Sequence, residues 1–283
     1  MGQCKICPRQ CKERNLGFCK AKDKLEIVWS GKHFGEEPPI SGTKGSGAIF
    51  FGRCNLACVY CQNWQISQGT IVGKNFSNDQ LVELFFKLQD QNCQNINLIS
   101  PTVWAKQLKI VLKKAKKNGL NLPIVWNSNA YESVETLQSL KGLVDIFIPD
   151  YKYDDESLGI KYSHAADYPL IAQKAIWEMI SQVGVENIII RHLVLPGQLK
   201  NTFGCLRFIR SLSPKIQLSL MAQYNPLYKA GDFIEINRKL TKKEYNLVLK
   251  MVKELDFKNG WIQEFDEAVE CFTPDFKKQN PFV

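Results

Sequence analysis

From residue 47 onward, short apolar runs alternate with stretches whose apolar residues recur every three to four positions. The short runs cover 48–51, 95–99, 122–126, 143–148, 187–195 and 215–222. They are dense in Ile, Val, Leu and Phe and lack strict alternation, which predicts parallel strands covered on both faces. Between them the spacing turns helical. Ser77-Asn78-Asp79-Gln80 reads as a capping box, with Leu81, Leu84, Phe85 and Leu88 following on one face. A second helix covers about 105–117 and stops at Asn118-Gly119, and others are expected over 133–140, 170–183 and 203–212. Thr241-Lys242-Lys243-Glu244 is another capping box and opens a helix to about residue 255. Six strand–helix units in series predict an α/β fold with a parallel sheet and right-handed crossovers. The alternation alone leaves an open sheet and a partial barrel both open.

Residues 1–40 have a different texture, with four cysteines, many charges and little periodicity. They predict an irregular, cysteine-rich metal-binding module. Pro38-Pro39 marks its boundary with a second unit, 41–283.

Composition narrows the class. The chain has 283 residues and 45% hydrophobic content, enough for one sizeable core. No apolar run approaches the ~20 residues that span a bilayer, and Met1-Gly2-Gln3-Cys4-Lys5 has no signal-like stretch. The expectation is a cytoplasmic protein without a membrane partner. The formal charge is +9, with lysines grouped in 106–117 and 239–258 at spacings that suit solvated helix faces. That spacing argues against nucleic-acid binding, whereas a basic surface suits an acidic electron donor, such as a flavodoxin or ferredoxin, or a protein substrate. Seven of the ten cysteines lie in two tight groups, which in such a chain points to metal rather than disulfides. Cys93, Cys205 and Cys271 stand alone and read as small buried hydrophobes.

The second group carries the sharpest chemistry. Cys54, Cys58 and Cys61 fall within eight residues, directly after the run Ala48-Ile49-Phe50-Phe51. Three thiolates can hold three irons of a 4Fe–4S cubane. With no fourth thiolate nearby, one iron stays open to bind a ligand and pass it an electron. Reductive cleavage of S-adenosylmethionine needs such an iron. Tyr60, just before the last cysteine, suits stacking on an adenine. The plainer alternative is three buried or zinc-binding cysteines. The first group is Cys4, Cys7, Cys11 and Cys19. Four thiolates make a closed zinc site or hold a second 4Fe–4S cluster, with two disulfides as the alternative. Arg9, Lys12 and Arg14 would offset the thiolate charge. The Gly42–Gly47 stretch lacks the ending of a phosphate loop and reads as a turn entering a strand.

The three-cysteine spacing resembles that of the radical S-adenosylmethionine (radical SAM) superfamily. Ser41–Gly47, Gln62-Asn63, Asp150-Tyr151-Lys152 and Arg191-His192-Leu193-Val194-Leu195-Pro196-Gly197 look like the activating enzymes of glycyl radical enzymes. Cys7-Pro8-Arg9-Gln10-Cys11 and Glu36-Glu37-Pro38 look like an uncharacterised branch homologous to the pyruvate formate-lyase activating enzyme. The resemblance implies a partial (β/α)6 barrel with its site at the carboxyl ends of the strands. It implies an oxidoreductase that cleaves S-adenosylmethionine to a 5′-deoxyadenosyl radical for hydrogen abstraction. A glycyl radical enzyme is then the implied partner (EC 1.97.1.-), with another peptide or a small molecule such as a sugar as alternatives.

The resemblance also implies site residues. The family's Gly-Gly-Glu, which binds the methionyl amine, is replaced by Ser100-Pro101-Thr102. Thr102 Oγ1 would then accept from the amine, or the segment is an ordinary turn. Asn127-Ser128-Asn129 stands where the family has Asp-Thr-Asn near a cation, and Asp150 matches a second carboxylate there. Lys152 matches a lysine near the cofactor, with a plain salt bridge to Asp150 as the alternative. His192 matches a ribose contact, against the reading of a satisfied core histidine. From another class, a metal-stapled nucleic-acid-binding module competes. Colour discriminates, because a cluster protein is brown and a zinc module is colourless.

Overall fold

The computed structural model describes residues 3–12, 17–265 and 273–283. Among the described residues, nine strands run in chain order: β1 (Leu25–His33), β2 (Ser46–Phe51), β3 (Lys74–Phe76), β4 (Ile96–Ile99), β5 (Ile124–Ser128), β6 (Ile146–Pro149), β7 (Ile189–Leu193), β8 (Gln217–Met221) and β9 (Asn259–Ile262). The helices are α1 (Pro38–Ser41), α2 (Trp64–Ser67), α3 (Asn78–Asp90), α4 (Ala105–Lys117), α5 (Val134–Gln138), α6 (Glu156–Ser163), α7 (Tyr168–Val183), α8 (Leu199–Leu212) and α9 (Lys242–Glu254).

The local signals work as their chemistry requires. Both capping boxes form: Ser77 with Gln80 opens α3, and Thr241 with Glu244 opens α9. The amphipathic α4 buries Leu108, Val111, Leu112 and Ala115 and ends in Lys114, Lys116 and Lys117, which favour the negative end of the helix dipole.

One sheet has the order β3-β1-β2-β4-β5-β6, and a second has the order β7-β8-β9. Strands β2, β4, β5 and β6 are parallel, as are β7, β8 and β9, while β1 is antiparallel to β2 and β3. Two isolated parallel bridges, Phe147 to Ile188 and Asp150 to Arg191, tie β6 to the chain at β7. The fold is therefore α/β and mostly parallel.

The parallel strands β2, β4, β5 and β6 are buried on both faces, so their runs do not alternate in hydrophobicity. Ile49, Phe51, Ile96, Leu98, Trp126, Phe147, Ile190 and Leu220 join the helices in the main core. The intervening positions form separate clusters on the other face. Ala48, Phe50 and Ile99 pack with Phe276, and Val125, Ile148 and Ile189 pack with Ile40 of α1. This inner face lies between the strands and α1.

The expected module over 1–40 needs correction. Leu25–His33 is not irregular but a strand paired to both β2 and β3. The sheet thus begins before Pro38-Pro39, and those prolines open α1 instead. Among the described residues, no helix is long and apolar enough to cross a membrane.

Candidate active site

The strands aim their carboxyl ends at the three-cysteine loop. Cys54 follows β2 directly, and Val59 of the loop accepts a backbone bond from Lys229 while donating to the carbonyl of Tyr162. Each sulfur has a side-chain hydrogen-bond partner from a different element. Asn129 Nδ2 donates to Cys54 Sγ at 3.3 Å, and Ser163 Oγ donates to Cys58 Sγ at 3.0 Å. Cys61 Sγ and Ser67 Oγ are 3.4 Å apart. The backbone N–H of Leu56 adds a second bond to Cys54 Sγ at 3.4 Å.

The thiols feel one another. Burial, then the neighbouring Cys58, push the Cys54 thiol up to about 12. The same two causes push Cys61 up to about 11, and burial raises Cys58 as well. The charge of Lys152 opposes the rise at all three. Raised in this way the three thiols stay protonated without a metal, and a metal that binds them displaces those protons.

Among the described residues, no three His, Cys, Asp or Glu side chains crowd as closely as a single ion needs. Cubane ligands each bind a different iron, so their sulfurs stand farther apart than those around one ion. Three thiols from one short loop, each hydrogen-bonded and all near Lys152, are the groups that would hold three irons of a cluster.

Lys152 Nζ and Asp150 Oδ2 form an ion pair at 2.7 Å, as the salt-bridge alternative expected. The same lysine is also held protonated. Burial pulls its pKa down, but Asp150, Cys58 and Cys61 together outweigh that.

Other site expectations are corrected. Thr102 is nearly buried, and its Oγ1 donates to Glu132 Oε1 at 3.0 Å. Ser128 Oγ donates to Glu132 Oε2 at 2.6 Å, and Trp126 Nε1 donates to Glu132 Oε1 at 2.9 Å. The buried Glu132, absent from the sequence reading, ties the ends of β4 and β5 together. Asp150 is paired with Lys152, and Asn127 brings an amide where the resemblance has a carboxylate. Tyr60 is buried rather than open for stacking. Its hydroxyl is 2.6 Å from that of Tyr153, and its ring contacts Tyr162 and Tyr224.

His192 is a satisfied core residue. Its Nδ1 lies 2.7 Å from the Tyr151 carbonyl and its Nε2 lies 3.1 Å from Thr202 Oγ1. A ribose contact would have to displace one of them.

Two stability predictions follow from these groups. Removing the Glu132 carboxylate strands three buried donors, so Glu132→Leu should destabilise the fold by on the order of 3 kcal/mol. Urea unfolding of that variant checks it, and a loss under 1 kcal/mol would contradict the network described here. Burial, with Lys152 adding, lowers His192 from 6.5 to about 4. Between those values the unfolded chain binds a proton that the native chain refuses. Stability is therefore full above pH 6.5 and falls as the pH drops towards 4, by roughly 3 kcal/mol. His192→Gln should flatten that part of the pH profile.

The amino-terminal segment docks beside this loop. Arg9 donates to the backbone carbonyls of Asn55 (3.1 Å), His164 (2.5 Å) and Ser163 (3.3 Å), and stacks on Phe18 at 3.8 Å. Arg9 thus serves as an anchor, and Arg14 lies outside the described residues. Burial pushes the Cys7 thiol up to about 12, against the hydrogen bond from the Arg9 backbone and with smaller contributions from Cys19 and Cys4. Cys11 Sγ accepts from Phe18 N at 3.4 Å. A cleft of about 390 Å³ runs between Cys19 and Cys54. All nine described cysteines are free, so the disulfide alternative is not seen. Cys93 and Cys205 are buried as expected, and Cys271 lies outside the described residues.

Comparison with known proteins agrees. The family model for the radical SAM superfamily matches residues 48–204. An uncharacterized protein of Methanocaldococcus jannaschii is 32% identical over 267 residues, covering 89% of this chain and 74% of the relative. A second one from that organism is 28% identical over 158 residues, covering 49% and 46%. Among solved structures, Streptococcus suis SuiB bound to its precursor peptide SuiA matches with TM-score 0.52 and 12% identity, over 78% of this chain and 47% of that one. The FeFe-hydrogenase maturase HydG from Carboxydothermus hydrogenoformans matches with TM-score 0.53 and 12% identity, over 74% and 50%. This chain spans about half the length of those two structures, and at such identity they show the fold alone. With more than half of its length matched by the family model, the chain belongs to the radical SAM superfamily.

Proposed function

We propose that this chain is a radical SAM oxidoreductase in which Cys54, Cys58 and Cys61 hold a 4Fe–4S cluster and S-adenosylmethionine binds beside it. When bound, that pair supplies a 5′-deoxyadenosyl radical, through one-electron reduction and homolysis of the S–C5′ bond, for hydrogen abstraction. The carrying observation is the trio of neighbouring thiols, each given its own hydrogen bond and sharing the charge of Lys152. The chain's residues orient and shield. Ser163, Ser67 and Asn129 fix the sulfurs. Lys152, held by Asp150, places positive charge where the thiolates form. Burial of Tyr60 and Cys58 keeps water back.

A partial (β/α)6 barrel is the fold reading, supported by the parallel bridges that link β6 to β7. The amino-terminal cysteines are read as a second metal site, zinc or another cluster, supported by the backbone bond from Cys4 to the Cys11 carbonyl and the Phe18 N–H that donates to Cys11 Sγ. An acidic donor such as a flavodoxin or ferredoxin suits the basic chain.

The specific reading is activation of a glycyl radical enzyme, carried by the Asp150-Tyr151-Lys152 and Arg191–Gly197 segments. The test mixes the reduced protein, S-adenosylmethionine and a glycyl radical enzyme encoded beside it. A doublet from a backbone radical in the partner supports activation. No radical, with S-adenosylmethionine still cleaved, assigns a different substrate.

A further inference from the structure

Asn97 is the buried residue, among those described, whose two side-chain polar atoms both lack a partner, whereas Asn63 leaves only its Oδ1 unpaired. It sits in the middle of β4, where Ile96 and Leu98 face the helices, so alternation puts its side chain on the inner face. It is fully buried, and neither its Oδ1 nor its Nδ2 has a partner. Burying an amide this way costs free energy, and buried polar groups are ordinarily paired. The contrast with Asn95, two residues earlier on the same face, is direct. Asn95 accepts from Ser46 Oγ at 2.7 Å and donates to the Ile40 carbonyl at 2.7 Å.

The neighbours of Asn97 define what would suit it. Ala48 on β2 and Val125 on β5 lie directly across from it and supply no polar side chain. One step towards the cysteine loop, Ile99 pairs with Phe50 and with Asn127. The Asn127 side chain is nearly buried and also makes no hydrogen bond among the described residues. Phe276 extends the apolar wall, its ring centroid 5.4 Å from that of Phe50. The charges near this face are already matched. Arg191 is held by Glu36 and Glu37, and Lys152 by Asp150. Burial keeps His33, beside Phe50, neutral.

We infer that Asn97, with Asn127, forms a substrate subsite for an uncharged amide group, on the inner face below the cysteine loop. A carboxamide offers one donor and one acceptor side by side, and an amide of the ligand returns the complementary pair. Matched charges leave nothing to hold an anion or a cation there. The Phe50, Ile99 and Val125 walls favour a group with apolar flanks. This inference rests on the radical SAM reading for what happens to the ligand, but not for its binding.

The test uses the whole anaerobically purified protein and N-methylacetamide as the probe, followed by saturation-transfer NMR. Acetate and methylammonium serve as charged controls. The wild type should transfer saturation to N-methylacetamide and to neither control. Asn97→Leu should weaken probe binding at least tenfold. The same variant should melt about 2 °C or more above wild type, because an orphaned amide is replaced by a group of similar size that needs no partner. Competition by a blocked tripeptide would identify the amide as a peptide link, and competition by acetamide alone would identify a small carboxamide. No probe binding by wild type, equal binding of acetate, or a lower melting temperature for Asn97→Leu would overturn the inference. The last result would make Asn97 a structural residue bonded to an ordered water. These readouts need no cleavage of S-adenosylmethionine, so failure of that chemistry would leave the subsite standing.

Discussion

Replacing Cys58 with Ala should leave the anaerobically prepared protein without its first cluster, with iron content falling by about four atoms per chain. The effect is all-or-none because the three thiols come from one short loop. The loop itself should survive. Val59 and its neighbours are held by backbone bonds to Tyr162 and Lys229, which the substitution does not touch. Iron analysis and circular dichroism on the same sample separate loss of the cluster from loss of the fold. Full iron content in Cys58→Ala would remove this cysteine from the site. The corresponding variants at Cys54 and Cys61 should behave alike. Ser163→Ala, which removes only the hydrogen bond to Cys58 Sγ, should keep the iron and lower the cluster's reduction potential.

The largest effect on stability should come from Arg191→Met. The guanidinium is bonded through Nε to Glu37 Oε1 at 2.7 Å and through a terminal nitrogen to Glu37 Oε2 at 2.6 Å, and it also pairs with Glu36. Both glutamate side chains are about 6% exposed, so without the arginine two carboxylates are left buried and unmatched. Burial alone would push Glu37 up, yet Arg191 holds its carboxyl below the usual range. Breaking one partner from such a pair costs about 3–5 kcal/mol, a large part of a typical domain's 5–15 kcal/mol. The network also ties the start of α1 to β7. Converting Glu36 and Glu37 to Gln in the Arg191→Met background should recover much of the loss. No recovery would mean that packing, not charge, makes this corner stable.

The sequence carried the features whose signal is local. Ser77 with Gln80 and Thr241 with Glu244 mark where α3 and α9 begin, because a capping box is written within four residues. The bounds of α4 emerged from its apolar spacing and from Asn118-Gly119. In β5 the strand runs on to Ser128, past the expected end at residue 126, since Asn127 and Ser128 lack strand-like composition but still pair with Ile148 and Pro149. Strand β1 was missed because half of it is partly exposed and its pairing is long-range. Strands β3 and β9 were missed because they are short, mostly exposed edges.

The site divides the same way. Cys54, Cys58 and Cys61 were legible because their ligand set is contiguous. The groups that hold their sulfurs were not. Ser163 lies 105 residues from Cys58, and Asn129 lies 75 from Cys54. Ser67 is near Cys61 in sequence, but a serine four residues into a polar stretch carries no signal of its own. Glu132 was invisible for another reason. Its three donors come from Thr102, Trp126 and Ser128, and only the fold brings them to one carboxylate. His192 had two readings from sequence, a ribose contact and a satisfied core residue, and the tertiary structure gives both of its ring nitrogens an internal partner.

The central claim concerns cleavage of S-adenosylmethionine at the Cys54–Cys61 loop. The most direct measurement is 5′-deoxyadenosine released by the anaerobically reconstituted wild type after reduction with dithionite, quantified against the Cys54, Cys58 and Cys61 alanine variants. The account predicts 5′-deoxyadenosine and methionine in equal amounts from the wild type and none above background from any variant. A colourless, iron-free wild type that releases no 5′-deoxyadenosine, or variants that release as much as it does, would contradict the account.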